Sequence, residues 1–137
     1  MQKIIFEERI HTFQIDFNRH VSNVVYVQWM EIGRLRLLEA VGLPIYEIDR
    51  AGFLPVLVET QITYKRPLYM GDTVRVELWL SELTNATALM EFKFLGGNGK
   101  LAAEGRQRGV FVNTGTGRPL RLSPQQRAAF EPYLAPE

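Results

Sequence analysis

Cysteine is missing altogether from these 137 residues. Its absence removes disulfides, thiolate metal sites and a cysteine nucleophile from consideration. A surplus of charge of either sign is missing as well. The 16 Lys and Arg residues against 15 Asp and Glu leave a net charge of +1, and no cluster of Lys or Arg makes up for that balance. Nucleic acid is therefore not an expected partner. No apolar run approaches the ~20 residues that span a bilayer, so no membrane segment is expected. The first residues interrupt their apolar run with Lys3, Glu7, Glu8 and Arg9, too early for a signal peptide, and the expected location is cytoplasmic. There is no internal repeat, low-complexity tract or linker. A hydrophobic content of 46% over this length suits one domain spanning residues 1–137.

What is present is organised around the stretch from Asp16 to Arg34. An extended segment over residues 3 to 16, with Ile4, Phe6 and Ile10 among charged neighbours, is predicted to end in Asp16. A short polar turn follows, and an apolar helix is predicted from about residue 23 to 41. At about 100° per residue, Tyr26, Trp29, Met30, Gly33, Leu37, Ala40 and Val41 share one stripe. The opposite half mixes Gln28, Glu31, Arg34, Arg36 and Glu39 with Val24, Ile32, Leu35 and Leu38, a composition suited to partial cover by a second subunit or by the chain's own loops. Gly33 within the core stripe lowers helix propensity by ~1 kcal/mol against Ala and points to close approach of another backbone. Glu31 and Arg34, at i and i+3, are expected to pair. Gly42 and Pro44 end the helix.

A loop is expected through Tyr46 to Gly52, after which the period changes to two. Val56, Val58, Thr60, Ile62 and Tyr64 form one face of a long strand. Val74, Val76, Leu78 and Leu80 form that of the next, and Ala88, Met90, Phe92 and Phe94 that of a third. Gly96, Gly97, Asn98 and Gly99 make a hairpin back into residues 101 to 113. Four strands in hairpin succession after the helix, with the first strand before it, give five. Ser123, Pro124 and Gln126 open a short helix over 124 to 133. The expected class is α+β: an antiparallel five-stranded sheet wrapped around one long apolar helix, with a short C-terminal helix.

The junction before the long helix carries the candidate chemistry. A carboxylate ahead of a helix N-terminus lies beside backbone N–H groups that can polarise a carbonyl and hold the oxyanion formed on it. These are the two halves of an acyl-transfer site. A capping or turn role is the structural alternative for Asp16. Backbone bonding is the alternative for His20, and a core position that for Tyr26.

In the order Asp16, His20, Val21, Ser22, Asn23, Tyr26, Glu31, Arg34, then Gly42, Leu43, Pro44, then Tyr64, Lys65, Arg66, Pro67, Gly71 and Asp72, the chain resembles the hotdog-fold acyl-CoA thioesterases, in the 4-hydroxybenzoyl-CoA thioesterase branch. The resemblance covers roughly residues 3 to 112. It implies a homodimer assembling to a homotetramer, an active site at the dimer interface, and no metal or organic cofactor. Asp16 matches the catalytic carboxylate, and Asn23 matches the helix-start residue whose N–H faces the thioester oxygen. Arg19, His20, Asn23, Val24 and Tyr26 are the candidate substrate-binding residues. Three positions depart from the family pattern: Gln14 where a second Asp is frequent, Arg19 in place of Gly, and Ser22 in place of Asn. The implied reaction is hydrolysis of an acyl-CoA thioester, with Asp16 as nucleophile or general base. An acyl carrier protein thioesterase, a dehydratase using His20, and a non-catalytic acyl-ligand sensor are the alternatives. Glu59 on the long strand is a further candidate for a neighbouring protomer's site, and Arg66, Arg106 and Arg108 for the phosphates of coenzyme A.

Overall fold

In the computed structural model, which describes residues 1–137 apart from the side chain of Asp49, the first strand is β1 (Ile4–Arg9) and stops well before Asp16. A 3₁₀ turn at Thr12–Gln14 takes the place of the expected extended segment. Gln14 turns back so that its side chain accepts from the His11 N–H at 2.8 Å, while its own N–H donates to the His11 carbonyl at 3.1 Å. The alternation of Thr12 to Asp16 imitates a strand, but this local bonding settles the turn. The departure at Gln14 is thus structural.

The long helix α1 (Asn23–Ala40) forms where its periodicity predicts. Tyr26, Trp29, Met30, Gly33 and Leu37 are buried as expected; Val25 and Leu38 join them, and Ala40 is exposed. Gly42, at φ 83°, and the Leu43 N–H, donating to the Leu38 carbonyl at 2.7 Å, close the end of the helix. Gly33 does mark a close approach, but to a side chain: a Cβ there would lie 3.2 Å from Cε1 of Phe92. The expected loop after Pro44 contains a short helix α2 (Ile45–Ile48) and a 3₁₀ turn at Asp49–Ala51, which put Ile48 in the core.

Four further strands, β2 (Phe53–Tyr64), β3 (Thr73–Leu83), β4 (Thr87–Gly96) and β5 (Leu101–Asn113), complete an antiparallel sheet of order β1-β3-β4-β5-β2. Hairpin succession therefore holds only for β3, β4 and β5. β2 crosses to the far edge to pair with β5, and β3 pairs with β1. The turn before β3 explains this: Ile10 N–H donates to the Asp72 carbonyl at 2.9 Å, and Gly71 N–H donates back to Ile10 at 3.2 Å, which seats the start of β3 beside β1.

The single alternation expected along β2 is broken by a register shift between Leu57 and Glu59. Before it, Phe53, Pro55 and Leu57 are less exposed than their neighbours. After it, Thr60, Ile62 and Tyr64 turn inward, while Val56 and Val58 remain 41% and 58% exposed. One inserted residue exchanges the faces of a strand, which no alternation of residue types reveals by itself.

Val74, Val76, Leu78, Leu80 and Phe94 are wholly buried under α1. Full burial of side chains of this size contributes about 1.5–3 kcal/mol each. Tyr26 and Trp29 meet Phe94 at ring-centroid distances of 5.3 and 6.2 Å. The helix sits low because β5 yields room: a Cβ at Gly105 would lie 2.6 Å from Cε of Met30 and 2.7 Å from the Gln61 carbonyl oxygen. At the chain's end α3 (Pro124–Phe130) begins in the expected capping box, Ser123 accepting from the Gln126 N–H at 3.1 Å and Gln126 from the Ser123 N–H at 2.9 Å. No helix among the described residues is long and apolar enough to cross a membrane.

Gly105→Ala should lower stability by about 1–3 kcal/mol, since backbone and Met30 must both give way. Gly33→Ala should change it by less than about 1 kcal/mol, because gained helix propensity offsets the contact with a mobile ring edge. Urea denaturation of both variants checks the pair, and an unchanged midpoint for Gly105→Ala would refute this account of the helix seat.

Candidate functional site

Asp16 begins a loop tied shut at its base. Ile15 and Val21 bridge antiparallel, the Asp16 N–H donates to the His20 carbonyl at 2.9 Å, and the Arg19 N–H donates to the Asp16 carbonyl at 2.9 Å. The Asn18 N–H donates to Oδ1 of Asp16 at 2.9 Å, so one carboxylate oxygen is held and the other is left for chemistry. Val21 N–H to the Leu68 carbonyl and Ser22 N–H to the Gln14 carbonyl, both 2.9 Å, fix the loop to its surroundings. Arg19 has φ 68°, alone among the described non-glycine residues in being positive. The left-handed region costs an L-residue about 1–2 kcal/mol, which is the physical reason for the glycine expected at this place. Its side chain stands exposed and outside the cleft described next.

At the start of α1 the backbone donors are left open. Ser22 has the extended backbone of an N-cap, yet its hydroxyl accepts no capping bond, whereas Ser123 caps α3. Only the Val25 N–H turns back, to the Ser22 carbonyl at 3.0 Å; the N–H groups of Asn23 and Val24 meet no acceptor among the described residues. Such donors, reinforced by the helix dipole, favour negative charge in front of them.

A cleft of about 300 Å³ joins these parts, lined by Asp16, His20, Asn23 and Tyr26 together with Tyr64 and Arg66. Four of the residues singled out in the sequence thus meet. Val24 does not line the cleft and is 63% exposed. Arg66, a candidate for the phosphates of coenzyme A, joins the four in the cleft wall; Tyr64 and Lys65 beside it, and Asn18 in the loop, also belong to that wall but were not in the candidate set. The signal for Tyr64 and Lys65 was the Tyr64 to Pro67 string, read only as part of a family pattern. Burial pushes the Tyr26 phenol up to about 12, and Tyr64, edge-on at 5.1 Å, adds to this; Tyr64 is itself raised by burial. Both are neutral hydroxyls at ordinary pH. His20 packs edge-on against Tyr69 at 5.3 Å. Glu59 is exposed on the edge strand, and Arg106 and Arg108 lie near Glu91 and Glu82, at 2.9 and 3.9 Å, away from the cleft.

A second, mostly apolar cavity of about 360 Å³ lies beneath the later turns of α1, with Glu31, Arg34, Leu38, Val56, Leu57 and Phe111 in its wall. The expected Glu31–Arg34 ion pair is not formed. Arg34 instead donates to Oε1 of Gln107 at 2.7 Å, and Gln107, fully buried, donates to Oγ1 of Thr60 at 3.2 Å. Glu31 faces outward, while the arginine reaches inward to the one fully buried amide among the described residues.

A five-stranded antiparallel sheet wrapped around one long helix is the hotdog arrangement. Residues 10–130 match the family model of the thioesterase-like superfamily, and the chain belongs to that superfamily. It is similar to YneP of Bacillus subtilis (strain 168), provisionally named an acyl-CoA thioesterase, with 25% identity over 81% of this chain and 83% of that one. It is also similar to the chloroplastic acyl-acyl carrier protein thioesterase ATL3 of Arabidopsis thaliana, with 26% identity over 93% of this chain and 67% of that one. Among solved structures, protein SAV2348 from Staphylococcus aureus, determined in complex with CoA, superposes with a TM-score of 0.91 at 19% identity, covering 96% of this chain and 84% of that one. That likeness shows the fold.

Arg19→Gly should raise stability by about 0.5–1 kcal/mol, the relief of left-handed strain less the added freedom of the unfolded chain. A thermal or urea midpoint measures this, and a lowered midpoint would show that the Arg19 side chain holds the loop.

Proposed function

We propose that the protein hydrolyses an acyl-CoA thioester to free acid and CoA, with residues 1–137 acting as one catalytic domain. The observation that carries this reading is the Asp16 carboxylate sharing a cleft with the uncapped start of α1. A thioester carbonyl is weakly resonance-stabilised and its thiolate leaves readily, so a placed carboxylate and an oxyanion site suffice. In one route the carboxylate oxygen not held by Asn18 attacks the carbonyl carbon. The Asn23 N–H receives the oxyanion, the C–S bond breaks to give an anhydride and CoA thiolate, and water then opens the anhydride. In the other, Asp16 takes a proton from a water that attacks the same carbon, and the same C–S bond breaks. Both routes end in acid and thiol. His20 and Tyr26 position the substrate; no side-chain hydrogen bond joins the His20 imidazole to the Asp16 carboxylate among the described residues. Arg66 on the cleft wall is placed for a CoA phosphate. Acyl carrier protein is the alternative carrier, as in the name of the Arabidopsis relative.

The working unit in this reading is a dimer, assembling further to a tetramer. The outer edge of β2 pairs with no strand among the described residues, and exposed Leu54, Val56 and Val58 lie along it. Such an edge invites pairing with another chain. Phe13 and Phe17, 81% and 94% exposed beside the Asp16 loop, add apolar surface for a partner to cover.

Asp16→Asn should reduce thiol release from acyl-CoA esters by about 10²–10⁴-fold while leaving the oligomer folded. Asn23→Ala should reduce it less than about tenfold, because the backbone N–H does the work. Thiol release from a panel of short, medium, long and aromatic acyl-CoAs gives the comparison. An Asp16→Asn protein with full activity would end the assignment.

A further inference from the structure

The cleft and the apolar cavity lie at opposite ends of β2: Tyr64 lines the first, Val56 and Leu57 the second. At about 3.3 Å per residue they stand roughly 23–26 Å apart along the strand, too far for a short acyl group on Asp16 to reach the cavity of its own chain. In an antiparallel two-fold pairing of the free β2 edges centred near Thr60 and Gln61, Leu57 of each protomer would lie beside Tyr64 of the other, and each cavity would adjoin the other protomer's cleft. The cleft has Asp16 but mostly polar walls; the cavity has mostly apolar walls, and the two together would make one acyl site.

Two charged residues stand out in that cavity. Arg34 brings a guanidinium into a mostly apolar wall, where burial lowers its proton affinity and the nearby charge of Glu31 opposes that shift. The bond of Arg34 to Gln107 uses one of five N–H donors, and no carboxylate lies within 4.0 Å among the described residues. Gln107 is itself held by Thr60, so the fork is fixed in direction. Glu31 lines the same cavity, but it is exposed and solvent-screened and makes no contact with the guanidinium within 4.0 Å, which weakens its hold on the cation. A half-buried, oriented arginine with no carboxylate within 4.0 Å, in a mostly apolar cavity, can receive an anionic oxygen at the end of an apolar stem.

We propose that Arg34, held by Gln107 and Thr60, is a specificity residue acting across the dimer, and that it selects acyl groups ending in a carboxylate over plain alkyl chains of equal length. This rests on the thioesterase reading, and two probes separate their failures. The first is kcat/KM for adipoyl-CoA against hexanoyl-CoA, six carbons each, in wild type, Arg34→Met and Arg34→Lys. The expected result is a wild-type preference of about tenfold or more for adipoyl-CoA, abolished in Arg34→Met and partly kept in Arg34→Lys, which retains charge but loses the fork. A wild-type preference for hexanoyl-CoA, or a ratio that Arg34→Met leaves unchanged, would overturn the inference while leaving hydrolysis intact. If Arg34→Met does not fold, the ratio in Arg34→Lys decides: an unaltered preference overturns it.

The second probe is calorimetric binding of monomethyl adipate against methyl hexanoate, which requires no turnover. Should neither CoA ester be hydrolysed, the thioesterase reading fails. Binding of the half-acid that is lost in Arg34→Met would still uphold the role of Arg34, and absence of such binding would remove it.

Discussion

Everything in this chain depends on how deeply α1 is seated on the sheet. Trp29 and Met30 are almost wholly buried, and Met30 can lie where it does because residue 105 has no side chain. The same seating brings Gly33 against Phe92 and Tyr26 against Phe94 and Tyr64. A helix held this way cannot rotate or slide without opening a core that is packed on both sides of the contact. Its first turn is therefore a fixed point. The Asp16 loop, bonded to Gln14 and Leu68 on either side, is fixed relative to that point.

The two main helix starts of the molecule show what this rigidity is used for. α3 satisfies its first turn internally, with serine and glutamine exchanging bonds, and serves as a lid on Phe111. α1 also begins after a serine, but leaves the first amides without acceptors and faces them toward a cleft that holds a carboxylate. Leaving such donors unbonded is unfavourable unless water or a ligand takes them. Arg19 adds strain of the same kind in the adjoining loop. Local rules of chain conformation are broken where the chemistry is proposed and kept at the other end of the chain, the distribution expected of a functional site.

Much of this was legible in the residues. Helical spacing placed α1 to within a residue, and the valines of β3 and the aromatics of β4 declared their buried face. Ser123 and Gln126 declared the last helix. Apart from the turn at Thr12–Gln14, which local bonding between His11 and Gln14 settles, the misreadings in sheet pairing and ion pairing depend on partners distant in sequence or on a single inserted residue. Nothing local says that β2 pairs with β5 instead of β3, or that a bulge after Leu57 exchanges the faces of that strand. Arg34 has Glu31 within helical reach, and only the fold supplies Gln107 as the better partner. At the site, Asp16, His20, Asn23 and Tyr26 were recognisable because they lie within eleven consecutive residues. Tyr64 reaches the same cleft from the far end of another strand, and sequence distance hid it; Arg66 stood out only as one of three arginines suited to phosphate, of which the fold brings this one alone to the cleft.

The central claim is geometric: an acyl thioester lies with its carbonyl oxygen at the start of α1 and its carbonyl carbon facing residue 16. The most direct test is a crystal structure of the Asp16→Asn protein with an intact acyl-CoA bound. The account predicts the thioester oxygen within hydrogen-bond distance of the Asn23 N–H, with the residue 16 side chain on the open face of the carbonyl. A thioester bound elsewhere, with the first amides of α1 facing only solvent, would contradict it.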